Sequence, residues 1–322
     1  NGNFSLAVVV YEKLAQLLVR RPERVAEIDL IVADELEILG DSERGAGVEL
    51  LLTQLLRAGS RVIGLSAVIG GADRLAKWLD ADLVQSDHRP VELRFGVLYE
   101  GTFTYRTSHG SGRSTEALYD SGTESAEDAA LTNLAAFAEK GEPSLVFVRA
   151  KHDTRRGADR IAARMELPPA TLALEALEAL EPSRSQEGLR AVLARGVAFH
   201  NADLSAEERL IVEEAFRRGE VLVLVSTSTL AVGLNLPARN VFLTTEKWRY
   251  DARLGMPWKT PISHMEYENM GGRAGRLGLG DAYGRAILVA SSPFERELCW
   301  RRYVEGTRET IVPQLDRCAL ED

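Results

Sequence analysis

Short apolar runs alternate with segments of helical periodicity along most of this chain. The runs are rich in Val, Ile and Leu and occur at residues 6–10, 28–33, 61–65, 144–148, 221–225 and 286–290. Continuous apolar runs of this length, separated by helical segments, are typical of parallel strands that are buried on both faces. The pattern predicts an α/β fold in which helices flank parallel sheets.

Residues 268–278 read Glu-Asn-Met-Gly-Gly-Arg-Ala-Gly-Arg-Leu-Gly and contain four glycines. Each glycine in a helix interior costs about 0.8–1 kcal/mol relative to alanine, so this density needs a reason such as close approach of the backbone to another group. Arg273 and Arg276 lie three positions apart, which places them on one face of a helix. A guanidinium pairs with carboxylate or phosphate through two parallel hydrogen bonds. For an isolated stretch of this kind, a helix end with two solvated arginines is the plainer interpretation.

Two acidic residues, Asp34 and Glu35, directly follow the apolar run at residues 28–33. Carboxylates at the carboxyl end of a central parallel strand lie where open α/β sheets bind ligands. The position therefore predicts a ligand-binding role for this pair. Capping of the following helix by the two acids is the alternative interpretation.

Four motifs occur in a fixed order along the chain. They are Asp34-Glu35, Ser66-Ala67, the stretch Thr-Leu-Ala-Val-Gly-Leu-Asn-Leu-Pro-Ala at residues 229–238, and the glycine-arginine stretch at residues 268–278. In this order they resemble the motifs of the superfamily 2 helicases. Their amino-acid sequences are most similar to those of the superkiller-like and archaeal repair-helicase branch. The resemblance extends from about residue 5 to about residue 300. It implies tandem RecA-like sheets, ATP and Mg²⁺ as cofactors, and a nucleic-acid partner.

The resemblance also implies roles for single residues. Asp34 would hold Mg²⁺ directly or through water, while Glu35 would orient and deprotonate the attacking water. Family members close such an acidic pair and a pair of arginines around ATP, which assigns charge stabilisation to Arg273 and Arg276. The residues expected to contact the nucleotide are Glu37, Gly233, Asn235 and Asn269.

Two positions depart from the family pattern. Glu37 stands where the family has histidine or aspartate, and Val68 stands where the pattern Ser-Ala-Thr has a threonine hydroxyl. Both positions concern the coupling of ATP to the nucleic-acid site. The alternative function is therefore a catalytically degenerate pseudo-helicase that binds nucleic acid or protein as a scaffold.

No stretch of the sequence matches the phosphate-binding loop Gly-x-x-x-x-Gly-Lys-Ser/Thr. The chain opens at what resembles the middle of the first RecA-like domain, so we expect a piece of a longer helicase that is inactive by itself. We expect residues 1–105 to be the C-terminal half of the first domain, with an incomplete sheet. Residues 106–302 would be the second domain, and residues 303–322 the start of a winged-helix region or a tail.

An aromatic and basic excursion, residues 242–262, lies between the third and fourth motifs. The family carries a strand-separating β-hairpin here, which implies that Trp248 stacks on bases and that Arg249 holds the backbone. Packing of these aromatics onto their own domain fits nearly as well. The other nucleic-acid contacts implied by the family are Lys13, Arg149 and Thr229. A solvent-facing lysine, a solvated helix face and a plain helix cap are the respective alternatives.

Composition changes this picture only slightly. The chain has 322 residues with 45% apolar content, enough for two cores, and a net charge of −9, so nucleic acid must bind in a local groove. No apolar run approaches the ~18 residues of a membrane span. The two cysteines, Cys299 and Cys318, lack metal-ligand spacing, which suits a reducing cytoplasm. We expect a soluble, cytoplasmic helicase of 3′ to 5′ direction, with DNA somewhat favoured over RNA.

Overall fold

The computed structural model describes residues 5–41, 43–67, 69–86, 88–108, 110, 112–122, 125–227, 236, 238–251, 256–275, 283–312 and 314–315. The chain forms two compact units. Unit 1 consists of Asn1–Ser86 and Arg308–Asp322, and unit 2 consists of Asp87–Thr307. The division between the units therefore falls about twenty residues before the predicted boundary near residue 105.

Unit 1 is built on a small parallel sheet. Its two strands, β1 (Leu30–Ala33) and β2 (Arg61–Gly64), pair from Leu30 with Arg61 to Ala33 with Gly64. Three helices accompany the sheet: α1 (Tyr11–Arg20), α2 (Gly45–Arg57) and α3 (Ala72–Trp78). Short 3₁₀ helices cover Pro22–Glu27 and Leu36–Gly40. Val32 and Ile63 are 58% and 49% exposed, so this sheet is partly uncovered in the described residues.

The apolar run at residues 6–10 was predicted to be a buried strand, and this prediction is wrong. These residues form no strand, and the side chains of Leu6, Val8 and Val10 are 84%, 95% and 63% exposed. A strand needs a neighbour to pair its backbone N–H and C=O groups. Within the described part of unit 1, no strand pairs with this run.

Unit 2 contains a mixed sheet of eight described strands. They are β3 (Glu92–Tyr99), β4 (Thr102–Thr107), β5 (Ser114–Ala117), β6 (Ser144–Val148), β7 (Val197–His200), β8 (Val223–Thr227), β9 (Asn240–Phe242) and β12 (Tyr283–Val289). Their order is β5-β4-β3-β12-β9-β6-β8-β7, antiparallel only at β5-β4 and β4-β3. The parallel-dominated sheet confirms the predicted α/β class.

Helices flank the sheet of unit 2. They are α4 (Ala126–Glu139), α5 (Lys151–Arg164), α6 (Thr171–Glu178), α7 (Arg184–Leu193), α8 (Ala206–Arg218), α9 (His264–Gly271) and α10 (Pro293–Cys299). A single π-helical turn, Trp300–Val304, continues α10. A capping box between Ser205 and Glu208 begins α8. None of the described helices is long and apolar enough to cross a membrane.

Strand β3 explains why the units divide before residue 92. It pairs in parallel with β12, from Glu92 with Tyr283 to Leu98 with Val289. Leu93, Val97 and Leu98 are completely buried in the core of unit 2. The Ser- and Gly-rich segment after residue 107, which resembles a linker in the sequence, connects β4 to β5 within the same sheet. How these units correspond to the two expected family domains stays a prediction.

The described residues near the C terminus contact unit 1. Thr310 forms an isolated parallel bridge with Gly70, and the backbone N–H of Gln314 donates to Glu49 Oε2 on α2 at 2.9 Å. Residues 303–322 were expected to begin a winged-helix region or a tail. Of that range, the first two residues end the π-helical turn, while residues 308–312 and 314–315 belong to unit 1.

Candidate nucleotide and nucleic-acid sites

The acidic pair lies in a tight turn at the carboxyl end of β1. Leu65 N donates to Ala33 O at 2.8 Å and Leu36 N donates to Leu65 O at 3.0 Å, which holds this turn against the end of β2. Glu35 has a φ angle of 53°, in the left-handed region that is uncommon for residues other than glycine. Its N–H donates to Asp34 Oδ1 at 2.9 Å. The predicted ligand-binding residues therefore occupy a fixed turn at the predicted end of the strand.

The chemistry of Asp34 fits a metal ion that arrives with a nucleotide. Mg²⁺ is usually bound by one or two carboxylates, with water and phosphate oxygens as its other ligands. Asp34 is exposed, and one of its oxygens, Oδ1, accepts the Glu35 N–H. Among the described residues, no group of three or more His, Cys, Asp or Glu side chains could hold a metal ion by themselves.

Glu37, the first departure from the family pattern, is buried and contacts the Ser-Ala motif. It is 7% exposed, and the Ser66 hydroxyl donates to its Oε2. The other oxygen, Oε1, is buried without a hydrogen-bond partner in the part of the chain that the structure describes. A hydroxyl link between the two motifs is therefore present within unit 1. Val68, the second departure, lies outside the described residues.

Tyr11 contacts the acidic turn, although the sequence did not indicate it. Its hydroxyl donates to the backbone O of Asp34 at 2.6 Å. Burial, followed by the negative charges of Asp34, Glu37 and Glu35, raises the pKa of Tyr11 to about 12. The hydroxyl is therefore protonated and able to donate at neutral pH. Lys13, the nucleic-acid candidate on the same helix, is exposed.

Helix α9 carries the described part of the glycine-arginine stretch. Ser263 and Glu266 form a capping box at its start, and Arg89 Nη2 donates to the backbone O of Gly272, just after its end, at 3.1 Å. Asn269 on the helix and Arg273 after it are both half-buried. Arg276 lies outside the described residues.

Close contact with the sheet accounts for two of the glycines. A Cβ atom on Gly271 would lie 2.6 Å from Phe95 Cε1 and 3.0 Å from Ala286 Cβ. Gly275 has a φ angle of 65°, and a Cβ atom there would lie 2.8 Å from the backbone N of Gly284. The backbone around Arg273 is thus packed directly on β3 and β12. The expected close approach is an approach to the sheet of unit 2.

The third motif lies mostly outside the described residues, including Thr229, Gly233 and Asn235. Its end is described, and Ala238 is fully buried. Ala238 forms a parallel bridge with Ala274, and its backbone O accepts the Gly275 N–H at 2.9 Å. The third and fourth motifs are therefore joined through backbone contacts within unit 2.

The aromatic and basic excursion forms a β-hairpin, as predicted. Strands β10 (Glu246–Asp251) and β11 (Met256–Pro261) pair in antiparallel register. Trp248 and Trp258 are 42% and 51% exposed, and Lys259 Nζ lies 5.7 Å from the centre of the Trp248 ring. The backbone of Arg249 belongs to β10, while its side chain lies outside the described part. Neither tryptophan is buried in the core of unit 2.

Ionic and polar contacts hold the base of this hairpin. Arg149 Nη1 lies 2.7 Å from Glu246 Oε2, and Lys247 Nζ contacts Glu266 Oε1 at the start of α9. Arg149 was expected to contact nucleic acid, and in this structure it pairs with the hairpin. Both partners are about two-fifths exposed, and an exposed ion pair contributes only about 0.2–1 kcal/mol. Such a pair leaves Arg149 available to another anion.

Comparisons with known proteins show which family this chain is similar to. Residues 128–278 match the family described as the helicase conserved C-terminal domain. The chain is 42% identical over 316 residues to the ATP-dependent DNA helicase Hel308 of Pyrobaculum calidifontis. The matched region covers 96% of this chain and 42% of that relative. Nearly the whole chain is therefore similar to part of this helicase, and residues 128–278 are similar to the helicase conserved C-terminal domain.

Two further Hel308 helicases show the same extent of similarity. The protein of Caldivirga maquilingensis is 37% identical over 326 residues, covering 96% of this chain and 40% of the relative. The protein of Pyrococcus abyssi is 36% identical over 318 residues, and the matched region covers 98% of this chain and 41% of that relative. The chain thus spans about two-fifths of the length of these helicases.

The contact between the glycine-arginine stretch and β12 yields a test of the packing in unit 2. Gly284→Ala is expected to destabilise unit 2, because the added Cβ would lie 2.2 Å from the backbone N of Gly275. Overpacking of this kind costs about 1–3 kcal/mol, which urea denaturation measures.

Gly157→Ala on α5 is the matched control. Its Cβ would lie 3.4 Å from Val225 Cγ1, an ordinary contact, and alanine favours the helix by about 0.8–1 kcal/mol. This control is expected to be neutral or stabilising. Equal stability of the two variants would contradict the close contact with β12.

Proposed function

We propose that this chain is part of an ATP- and Mg²⁺-dependent DNA helicase that moves 3′ to 5′ along one strand and separates the duplex. The observation that carries the proposal is the fixed Asp34-Glu35 turn at the carboxyl end of β1, within a chain that contains the other helicase motifs in order. The relatives are named as ATP-dependent DNA helicases, which favours DNA over RNA.

In this proposal unit 1 supplies the groups that act on the attacking water. Asp34 holds Mg²⁺, which offsets the negative charge of the nucleotide phosphates when it is bound. Glu35 orients the water and accepts its proton. Glu37 accepts a hydrogen bond from Ser66 and transmits the state of the acidic turn to the Ser-Ala motif.

Unit 2 supplies positive charge and polar contacts to the nucleotide. Arg273 and Arg276 stabilise the charge that develops on the transferred phosphoryl group. The packing of Gly271 against Phe95 supports this assignment, because it fixes the backbone shortly before Arg273. The proposed nucleotide contacts are Gly233, Asn235 and Asn269.

Nucleic acid is proposed to bind through local basic and aromatic groups, since the net charge of −9 opposes binding over the whole surface. The exposed Trp248 stacks on unpaired bases, and Arg249 contacts the backbone beside it. The remaining proposed phosphate contacts are Lys13, Arg149 and Thr229.

A pseudo-helicase scaffold is the second candidate function. Glu37 favours it, because a glutamate stands at the coupling position and one of its buried oxygens has no hydrogen-bond partner in the described residues. A Gly-Lys-Ser/Thr loop in a longer form of this protein would favour the enzyme, and a degenerate loop would favour the scaffold.

A cytoplasmic location belongs to the same proposal. Its support is the low cysteine content, two residues in 322. Cys299 is a buried free thiol, and burial raises its pKa to about 11, which makes it unreactive at neutral pH.

We expect the 322-residue chain by itself neither to hydrolyse ATP nor to bind Mg-ATP tightly. The reason is that no stretch of its sequence matches the loop whose amides and lysine hold the β and γ phosphates. Isothermal titration calorimetry with Mg-ATP measures the affinity. A dissociation constant in the micromolar range would contradict the prediction.

In a full-length protein that contains this chain, Glu35→Gln should retain ATP binding and abolish turnover, because an amide cannot accept a proton from water. Arg276→Ala should lower the turnover rate by about 10²-fold or more, since it removes a fixed charge from the transition state. Arg301→Ala is the control, because this arginine is 75% exposed and pairs with Glu297 on its own helix. Parental ATPase rates in both test variants, with DNA present, would refute these roles.

Trp248→Ala in the same protein is expected to lower the unwinding rate while DNA-stimulated ATP hydrolysis continues. Base stacking on an aromatic ring contributes about 1–3 kcal/mol, and the hairpin acts on the duplex whereas the acidic turn acts on ATP. Unwinding, ATPase rate and melting temperature are measured on each variant.

Phe242→Ala is the structural control, because this aromatic is 4% exposed in β9. Truncating a buried aromatic costs about 3–5 kcal/mol and should lower all three quantities together. If Trp248→Ala behaves like this control, the hairpin tryptophan is a packing residue and the wedge proposal fails.

A further inference from the structure

The turn that carries the acidic pair contains one residue in an unfavourable backbone conformation. Glu35 has φ and ψ angles of 53° and 51°, in the left-handed region. L-residues with a long side chain are disfavoured there, and such conformations persist only where the surrounding structure holds them. The contacts around Glu35 therefore show what holds it.

The peptide unit between Asp34 and Glu35 is hydrogen-bonded on both sides. Its N–H, on Glu35, donates to Asp34 Oδ1 at 2.9 Å. Its C=O, on Asp34, accepts the Tyr11 hydroxyl at 2.6 Å. Rotating this peptide plane would change φ of Glu35 and break both bonds. The Tyr11 hydroxyl thus opposes a rotation that would change ψ of Asp34 and φ of Glu35 together.

Helix α1 brings Tyr11 to this place. Tyr11 is its first residue, and Leu14, Leu17 and Leu18 of the same helix pack in one cluster with Leu51 and Leu55 of α2. This apolar contact keeps the start of α1 in position. The tyrosine is therefore a rigid donor.

We propose that Tyr11 is a positioning residue for the acidic turn, and that its hydroxyl keeps the Asp34-Glu35 peptide in the orientation that the water-activating carboxylate needs. The inference rests on the proposed function of Glu35. Tyr11 does not touch the nucleotide in this proposal and acts only through the turn.

The protonation state of Tyr11 is compatible with this role. Burial and the charges of Asp34, Glu37 and Glu35 raise its pKa to about 12, against about 10 for a free tyrosine.

The first test uses this chain and needs no catalytic activity. Tyr11→Phe keeps the ring and removes only the hydroxyl. Hydrogen exchange measured by mass spectrometry should show about fivefold faster exchange in a peptide covering residues 33–38, the loss expected for one hydrogen bond. Peptides from α2 should be unchanged. Unchanged protection at residues 33–38 would overturn the proposal.

Glu12→Gln is the matched control on the same helix. It weakens the 2.6 Å ion pair between Glu12 and Arg44, another contact of α1, and leaves Asp34 untouched. Exchange at residues 33–38 should stay at the parental rate. Equally faster hydrogen exchange in both variants, or faster exchange throughout unit 1, would contradict the proposal. It would mean that the packing of α1, and not the Tyr11 hydroxyl, protects the acidic turn.

The second test measures ATP hydrolysis in the full-length protein. Tyr11→Phe should lower kcat about fivefold and leave KM for ATP nearly unchanged, because it disturbs water activation and not nucleotide binding. A parental kcat in Tyr11→Phe, with Glu35→Gln inactive, refutes this inference alone. Turnover by Glu35→Gln refutes the proposed function itself.

Discussion

Parallel strand pairing is the constraint on which the candidate sites depend, because it places the carboxyl ends of neighbouring strands at one edge of a sheet. In unit 1, β1 and β2 end side by side, so Glu37 after β1 meets Ser66 after β2. In unit 2, β6 and β9 are neighbours, so Arg149 after β6 meets Glu246 after β9. Residues far apart in sequence come together only because the strands before them run in the same direction.

The glycine-arginine stretch shows that one segment satisfies packing and chemistry together. Gly271 and Gly275 allow its backbone to contact β3 and β12 at distances that a side chain would not permit. Arg273, which lies between these two glycines, therefore has little freedom at its backbone. The proposed role of Arg273 needs fixed positive charge, because a preorganised charge costs no reorganisation during a reaction. The contact with β3 and β12 holds the backbone of Arg273 in place whether or not a nucleotide is bound.

Apolar runs predicted five of the strands, namely β1, β2, β6, β8 and β12, and the family resemblance implied the hairpin. The patterns failed where a long-range partner decides the structure. The run at residues 6–10 has the composition of a strand and no strand beside it in the described residues. Strand β3 pairs with β12 about 190 residues later, so the sequence around β3 does not indicate that this strand belongs to unit 2. Tyr11 lies 23 residues from Asp34 and gives no motif of its own. In each case the structure depends on a contact between residues far apart in sequence, which local hydrophobic periodicity cannot predict.

The electrostatics of the acidic turn favour a cation as its natural ligand. Three carboxylates, Asp34, Glu35 and Glu37, occur within four residues. The hydroxyls of Tyr11 and Ser66 donate to the turn, but a hydroxyl dipole does not neutralise a charge. Burial first, and then the charges of these carboxylates, raise the pKa of Tyr11 to about 12. If Mg²⁺ binds at Asp34 as proposed, it would offset this negative charge, and binding of the metal-nucleotide complex would then stabilise the turn.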